Sequence, residues 1–330
     1  MRAKSFLRLL AATLTLITST TTSFHTPQPT MRQRKKASAP NQAPTPPSGA
    51  SPTALSASPS PLITSAKVFG SVNAAGLLIS VLTGSHVHLD LLGTGAFIPA
   101  TLIPFMRLAR NPKPLSASLM GSQLIITAWA FRLATFLFYR ATVLKHDGRL
   151  TETLSTFSGT FGFWYLSALW GIFCTLPHVL AMYPSSLIVK KISAPSSVFA
   201  AISSFGFIIS LAGLFIEAIA DFQKWNFKMT HTNDQFISSG LWSISQHPNY
   251  FGNLLIFFGL FLQNSQALCT APWRLAAGLL APLFMYGLFY AQCTGLVADA
   301  VGIGIGKYGP SYELWMKSTP LIFPRFKKFW

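Results

Sequence analysis

The sequence predicts an all-α fold: a polytopic membrane bundle of about seven transmembrane helices. Half of the 330 residues are hydrophobic and only 10% are charged, whereas about a quarter of the residues are charged in a typical soluble domain. Seven apolar segments follow one another, and most approach the ~20 residues that a helix needs to cross a bilayer. They span residues 65–83, 87–106, 115–139, 159–182, 197–219, 250–266 and 273–298.

The formal net charge of +17 can indicate a protein that binds nucleic acid. Here, however, Lys and Arg are scattered through the short gaps between apolar segments or lie in the two tails, as expected of membrane loops. The sequence therefore argues against a nucleic-acid partner. The cysteines Cys174, Cys269 and Cys293 lie in or beside apolar segments, and their spacing predicts neither a metal site nor a disulfide framework.

The N-terminal region has the pattern of a targeting leader. Residues 1–24 read as a signal peptide, with a basic start, an apolar core and small residues at the exit. Residues 25–62 are rich in Pro, Ser, Thr and Ala and lack acidic residues, which predicts a disordered, transit-like segment. The pair resembles the bipartite leader of algae with secondary plastids. We therefore expect a plastid membrane location, with the endoplasmic reticulum as the alternative and the transmembrane domain at 63–330.

Seven crossings place the gaps 140–158 and 220–249 and the C-terminal tail on one side of the membrane. The gaps 107–114, 183–196 and 267–272 fall on the other side. The first side carries more Lys and Arg, so the positive-inside rule places it toward the cytosol or stroma. The polar motifs described below map to that side, which predicts one site assembled from distant loops.

Arg132 lies inside an apolar segment, where a charged side chain usually faces the bundle interior, a cavity or a partner. Arg140 follows eight residues later, so we expect the two to share nearly one helix face, and Asp147 and Arg149 to extend this polar column. One interpretation is a guanidinium clamp for cofactor phosphates, because Arg binds phosphate through paired hydrogen bonds. On that interpretation, Arg132→Ala leaves folding intact and lowers cofactor affinity. The other interpretation is snorkelling and internal charge pairing.

Two carboxylates mark the end of the fifth apolar segment. Glu217 and Asp221 are four residues apart, so they lie on one helix face. Asp221 is also placed to pair with Lys224 or Lys228. These carboxylates can accept hydrogen bonds from the ribose hydroxyls or adenine amine of a nucleotide, or can orient the arginines. The alternative is an ordinary charged helix end.

The stretch His247-Pro248-Asn249-Tyr250 passes directly into an apolar helix. Pro248 suits a first helical turn because it has no N–H to donate. The other N–H groups of that turn are free to bind phosphate or carboxylate. We therefore expect His247, Asn249 and Tyr250 around an anion-binding helix start at the membrane boundary. The alternative is a well-capped transmembrane helix with an interfacial Tyr.

The C-terminal tail contains Lys307 and Tyr308 within the sequence Gly306-Lys307-Tyr308-Gly309. Both are candidates to contact a phosphate or the edge of a base. The alternative is an aromatic and basic anchor at the membrane interface, as expected beside a last span.

These motifs carry a family resemblance over about residues 115–330. The block G-L-W-x-x-S-x-H-P-N-Y-x-G, with W-A-x-R-L, E-x-x-A-D-x-Q-K and the K-Y-G tail, resembles membrane proteins related to the C-terminal domain of steroid 5α-reductase. That group includes a family of unknown function. The H-P-N-Y-x-G motif also resembles the sterol C14 and Δ7 reductases. Relatives usually have Arg before the His and often an acidic residue after the Gly, where this chain has Gln246 and Asn253.

The resemblance implies a membrane-embedded reductase that uses NADPH to reduce a C=C bond in a steroid, isoprenoid or other lipid. It leaves the catalytic acid unassigned. The cofactor contacts that it implies, together with the residue patterns above, are Arg132, Arg140, Asp147, Arg149, Asp221, Lys224, His247, Asn249, Tyr250, Lys307 and Tyr308.

Two other functions stay open at this point. A shorter motif, H-P-x-Y-x-G, occurs in isoprenylcysteine and phospholipid methyltransferases, so the second hypothesis is a lipid or prenylcysteine methyltransferase that uses S-adenosylmethionine. Gln246 and the K-Y-G tail argue against it. The third hypothesis is a lipid-binding membrane protein without catalytic activity, because Gln246 and Asn253 replace a cation and an acid of the relatives.

Overall fold

The computed structural model describes residues 60–112, 114–144, 154–183, 196–294 and 300–325. Within these ranges the regular secondary structure is helical and no strand occurs, so the predicted all-α class is confirmed. The predicted signal peptide and most of the predicted linker lie outside the described residues, as do Asp147 and Arg149.

The α-helices of the described ranges are numbered in chain order. They are α1 (Pro61–Thr83), α2 (Leu89–Gly95), α3 (Phe97–Ala109), α4 (Ala117–Leu144), α5 (Phe157–Ala181), α6 (Ser196–Thr230), α7 (Pro248–Gln263), α8 (Ser265–Leu268), α9 (Pro272–Cys293), α10 (Ala300–Tyr308) and α11 (Pro310–Ser318). A 3-10 turn at Gly240–Ser243 precedes α7.

Six helical stretches of the described chain are long and apolar enough to cross a membrane, judged by length and composition. They are α1, α2 with α3, α4, α5, α6 and α9. The seventh predicted segment corresponds to α7, which has 16 residues. At about 1.5 Å per residue, α7 is roughly 24 Å long and falls short of the ~20 residues of a typical span. The polytopic helical bundle is thus confirmed, with six candidate spans among the described residues instead of the seven that were predicted.

Helix α6 is the longest element, with 35 residues. It continues to Thr230, past the predicted end at residue 219, because the polar residues that follow Glu217 extend the helix beyond its apolar part. One face of the apolar part carries exposed large side chains: Phe205, Ile208 and Phe215 are 58%, 62% and 58% exposed. An apolar surface of this kind marks a face that contacts lipid.

Aromatic rings join the first spans to the rest of the bundle. The ring centroid of Phe97 lies 5.1 Å from Phe69, 5.0 Å from Trp129 and 4.7 Å from Trp170, in edge-to-face geometry. Trp129 also meets Phe257 of α7 at 5.2 Å. Such pairs add about 0.5–1.5 kcal/mol beyond their buried area. This packing fixes Trp129, and with it the face of α4 that carries Arg132.

Glycines bring the backbones of α6 and α7 into direct contact. A Cβ added to Gly206 would lie 2.7 Å from the carbonyl oxygen of Gly259, and one added to Gly252 would lie 2.7 Å from that of Gly213. The pairing of an early residue of α6 with a late one of α7 shows that the helices run antiparallel. In membranes, small residues permit this close approach. It holds the start of α7 against Glu217 and Asp221.

Candidate functional site

A cluster of polar side chains joins α4, α6 and α7 at the end of the bundle where α7 begins. Each helix supplies two residues spaced three or four apart, which therefore lie one above the other on a single face. The pairs are Trp129 and Arg132, Glu217 and Asp221, and Asn249 and Asn253. We refer to these six residues as the polar cluster.

The outer layer of the polar cluster centres on Asp221. Its Oδ2 lies 2.6 Å from Nη1 of Arg132, and its Oδ1 accepts a hydrogen bond of 3.3 Å from Nδ2 of Asn249. Arg132 and Asn249 therefore meet at one carboxylate, although 117 residues separate them. The predicted convergence of Arg132, Asp221 and Asn249 matches this geometry.

The inner layer centres on Glu217, which is 4% exposed. Its Oε2 accepts a hydrogen bond of 3.0 Å from the indole Nε1 of Trp129, and its Oε1 accepts one of 3.3 Å from Nδ2 of Asn253. Nη2 of Arg132 lies 3.0 Å from the same Oε1. Asn253, where the family resemblance implies an acid, thus donates to a carboxylate. A third acid there would repel Glu217 instead.

The geometry changes the interpretation of Arg132. Its guanidinium faces two carboxylates, so its charge is compensated internally, as in the second of the two interpretations given above. A free phosphate clamp at Arg132 does not fit this arrangement. Arg132 positions the carboxylates of Glu217 and Asp221, while a contact of Arg132 with a cofactor stays a prediction.

Several polar atoms of the polar cluster are buried without a hydrogen-bond partner among the described residues. They are Nε of Arg132 and the Oδ1 atoms of Asn249 and Asn253. Buried polar atoms are usually paired. The two amide oxygens can accept hydrogen bonds from a ligand with amide or hydroxyl groups, and the Asp221 carboxylate can do the same.

A groove of about 420 Å³ opens beside the polar cluster, between α4 and α6. Arg132 and Asp221 lie at its polar end, and its walls are mainly aromatic. The lining residues are Arg132, Thr135, Phe136, Tyr139, Ala218, Asp221, Phe222 and Trp225. Phe222 is 61% exposed and Tyr139 56% exposed, so the groove opens sideways from the bundle. An apolar molecule that enters this groove can therefore reach the ion pair.

Lys224 and His247 lie next to the polar cluster. Nζ of Lys224 is 4.5 Å from the centre of the Trp242 ring, and its charge acts on both Asp221 and His247. Burial and Lys224 lower the pKa of His247 to about 4. His247 is therefore neutral near pH 7 and offers no positive charge to a phosphate.

Tyr250 extends the site toward α9. Its ring stacks on His247 at 5.0 Å and on Phe289 at 4.2 Å, and its hydroxyl donates to Oε1 of Gln292 at 3.1 Å. His247 and Tyr250 thus tie the start of α7 to α9. Their predicted cofactor contacts stay predictions.

Gln246, which replaces the usual Arg of relatives, holds the C-terminal tail. Its Nε2 lies within hydrogen-bond distance of two carbonyl oxygens, those of Met316 at 2.7 Å and Thr319 at 2.6 Å. Its backbone N–H donates to the carbonyl of Pro320 at 2.8 Å. The residue therefore has a structural role that the sequence did not indicate.

The structure separates the other predicted site residues from the polar cluster. Arg140 lines a different cavity, near the loop after α1. Eight residues rotate a helix by about 80° beyond two full turns, so the expected single column with Arg132 is not formed. Lys307 and Tyr308 belong to an aromatic group in the tail, where Tyr308 lies 5.8 Å from Phe236 and 5.1 Å from Tyr312.

A second buried polar network was missed by the sequence analysis. His178 of α5 is fully buried, with Nδ1 2.7 Å from Oγ of Ser122 and Nε2 2.9 Å from Oε1 of Gln123. Gln123 in turn donates to Thr101. The recurrence of polar residues inside apolar segments was the available signal. The described residues contain no group of His, Cys, Asp and Glu side chains placed to hold a metal ion.

The helices and the polar cluster define a class: a polytopic helical membrane protein with a buried ion-pair site at one end of the bundle. Residues 76–299, more than half of the chain, match the family described as "Protein of unknown function (DUF1295)". The chain belongs to this family, which is the steroid 5α-reductase-like family of unknown function that its motifs resemble. The match begins within α1, upstream of residue 115. No curated protein and no solved structure matches the chain.

The protonation of His247 leads to a prediction about pH. The pKa of His247 in the folded protein, about 4, lies below its usual value of 6.5. Between these values the unfolded chain binds a proton that the folded protein does not bind, so stability is lost as the pH falls from about 6.5 to about 4. We expect His247→Gln to lose less stability than the wild type over this range, in thermal unfolding at pH 7.5 and pH 4.5.

The control for this experiment is His231→Gln, because His231 lies exposed at the end of α6. It should lose stability with acid as the wild type does. An identical loss in the wild type and His247→Gln would contradict the buried, neutral state of His247.

Proposed function

We propose that the protein is a membrane-embedded, NADPH-dependent reductase of a C=C bond in a steroid, isoprenoid or other lipid. The observation that carries the proposal is the meeting of Arg132, Asp221 and Asn249 at the polar end of a laterally open aromatic groove. Membership of the 5α-reductase-like family supports it. NADPH, when bound, supplies the hydride.

The donors and acceptors of the polar cluster suit the hydroxyl and amide groups of a nucleotide cofactor. Asp221 offers a carboxylate to ribose hydroxyls, and Oδ1 of Asn249 offers an acceptor to an amide. Lys224 supplies a positive charge one helical turn after Asp221. Arg132 pairs with both carboxylates and holds them in position. The protein thus binds and orients, while the cofactor carries the chemistry.

The groove between α4 and α6 supplies the path for the lipid. Phe136, Phe222 and Trp225 give it apolar walls, and its polar end lies at the Arg132–Asp221 pair. The lipid enters from the bilayer without crossing water. Exclusion of water from the polar end strengthens the electrostatic interactions there.

Isothermal titration of the purified full chain in detergent, with NADPH and with S-adenosylmethionine, tests the proposal. We expect saturable heat from NADPH and none from S-adenosylmethionine. Asn249→Ala should weaken NADPH binding roughly tenfold, because it removes one hydrogen-bonding group from the site. Asn226→Ala, at an exposed position of the same polar end of α6, is the control and should bind as the wild type does.

The other possible outcomes of the titration would support the two alternative functions. Heat from S-adenosylmethionine alone would identify a methyltransferase and overturn the reductase. Heat from neither would favour the lipid-binding protein without catalytic activity. Lipid profiling of a knockout strain gives an independent readout, in which a reductase predicts the accumulation of one unsaturated precursor.

We also propose that the protein resides in a plastid membrane, on the basis of the leader pattern in residues 1–62. A fluorescent protein fused to the C-terminus of the full chain tests this location. Fluorescence at the plastid is the expected result, and a reticular pattern would place the protein in the endoplasmic reticulum instead.

A further inference from the structure

A cavity of about 700 Å³ lies at the same end of the bundle as the polar cluster but apart from it. It is bounded by the end of α1, the loop 84–88, the end of α4 and the start of α5. Its described wall combines charged and polar groups with apolar side chains. Among them are His86, Asp90, Arg140, Thr156, Val87 and Phe157. The volume falls in the range of about 300–1,000 Å³ that is typical of small-molecule sites.

Hydrogen bonds and ring stacking hold one wall of this cavity in place. The Nε2 atom of His88 lies 3.0 Å from the carbonyl oxygen of Gly76 and 3.2 Å from Oγ of Ser80. The indole of Trp164 donates to the same Oγ at 3.1 Å and stacks on His88 with centroids 5.6 Å apart. A Cβ at Gly76 would collide with Trp164. The loop before α2 is therefore anchored to α1 and α5. This anchoring fixes the shape of that wall of the cavity.

Arg140 gives the cavity its charge character. In the part of the chain that the structure describes, its guanidinium has no hydrogen-bond or ion-pair partner, whereas Arg132 on the same helix faces two carboxylates. A guanidinium without an ion pair among the described residues can bind an anion, and its fork of donors matches phosphate. Asp90 and His86 add polar groups to the wall. Burial and the neighbouring His88 lower the pKa of His86, so its ring is neutral at pH 7.

The apolar part of the wall indicates what carries the anion. Val87 and Phe157 lie beside Arg140 in one cavity, and Phe157 is 68% exposed at the start of α5. The cavity thus sits where an apolar span meets a polar loop, which is the depth of lipid headgroups. A free phosphate would leave the apolar wall in contact with water.

We propose that this cavity binds a membrane lipid whose headgroup is an anionic phosphate without a compensating ammonium group, with the phosphate on Arg140 and the acyl chain along Val87 and Phe157. The site is separate from the polar cluster and does not depend on reductase activity.

Native mass spectrometry of the full chain, released from detergent in the presence of phosphatidic acid, tests this site. We expect one saturable phosphatidic acid and no matching site for phosphatidylcholine, inorganic phosphate or NADPH. Arg140→Ala should weaken the binding about tenfold, since hydrogen bonds to charged groups are the strong ones. Arg110→Ala removes an exposed Arg at the end of α3 and should have no effect.

Two further variants allow the lipid-binding result to be interpreted. Arg140→Gln removes the charge but keeps a polar side chain, and it replaces Arg140→Ala if that variant does not fold. Asn249→Ala should bind phosphatidic acid as the wild type does, so failure of the lipid site and failure of the reductase are distinguishable. Equal binding in the wild type and the Arg140 variants would overturn the proposal. So would Arg140-dependent binding of NADPH or inorganic phosphate.

Discussion

Replacing Arg132 by Ala is expected to lower the free energy of unfolding by about 3–5 kcal/mol, the usual cost of removing one partner of a buried ion pair. The side chain of Glu217 is 5% exposed and that of Asp221 12% exposed, and both face Arg132. Without the guanidinium, two neighbouring carboxylates stay buried and repel each other. The expectation from sequence, that folding persists in Arg132→Ala, is therefore replaced by a strong loss of stability.

Further variants at position 132 separate the effect of the lost charge from the effect of the lost packing. Arg132→Met keeps most of the side-chain volume, so its instability should reflect the lost charge and hydrogen bonds rather than lost packing. Adding Glu217→Gln and Asp221→Asn to Arg132→Met removes the unpaired charges and should restore most of the lost stability. Arg132→Lys should be intermediate, because a single ammonium cannot hold two carboxylates as a planar fork does.

Thermal unfolding in one detergent measures the series. The control is Arg110→Ala, which removes an exposed Arg and should melt with the wild type. If Arg132→Ala melts at the wild-type temperature, or if the triple variant is no more stable than Arg132→Met, the ion-pair account of the polar cluster fails.

Replacing Gly252 by Ala is expected to cost about 1–3 kcal/mol, the usual penalty for overpacking. The new Cβ would lie 2.6 Å from the backbone nitrogen of Glu217 and 2.7 Å from the carbonyl oxygen of Gly213. Both contacts are with backbone, so no side-chain rotation relieves them and α6 must move away from α7. Asn249 and Asn253 then lose contact with the carboxylates, so ligand binding at the polar cluster should weaken together with stability.

Two other helical glycines provide matched controls. A Cβ at Gly162 of α5 or Gly287 of α9 has no neighbouring atom within 4 Å. Ala is the better helix former by about 1 kcal/mol, so Gly162→Ala and Gly287→Ala should be neutral or stabilising. A melting temperature for Gly252→Ala equal to that of these controls would show that α6 and α7 are not in direct backbone contact.

The sequence predicted the site residues unevenly, for identifiable reasons. Arg132 and Asp221 stood out because charges are costly inside or beside apolar spans, and the structure joins them. Arg140 was placed wrongly, on the Arg132 face, because small angular offsets accumulate over eight residues. From the sequence, Gln246 was interpreted as the loss of a cation. Its hydrogen-bond partners are backbone carbonyl groups of the C-terminal tail, which no local sequence pattern reveals. The cavity wall at His86 was missed because three separate chain segments form it.

The amino-acid sequence alone determined that this chain is a helical membrane protein of this family, because apolar length and motif spacing are local properties of the chain. Only the tertiary structure decided that Arg132 is neutralised by Glu217 and Asp221 while Arg140 faces a separate cavity. Those outcomes depend on which helix faces touch, and the touching faces are set by the glycine contacts of α6 with α7 and the aromatic packing around Phe97.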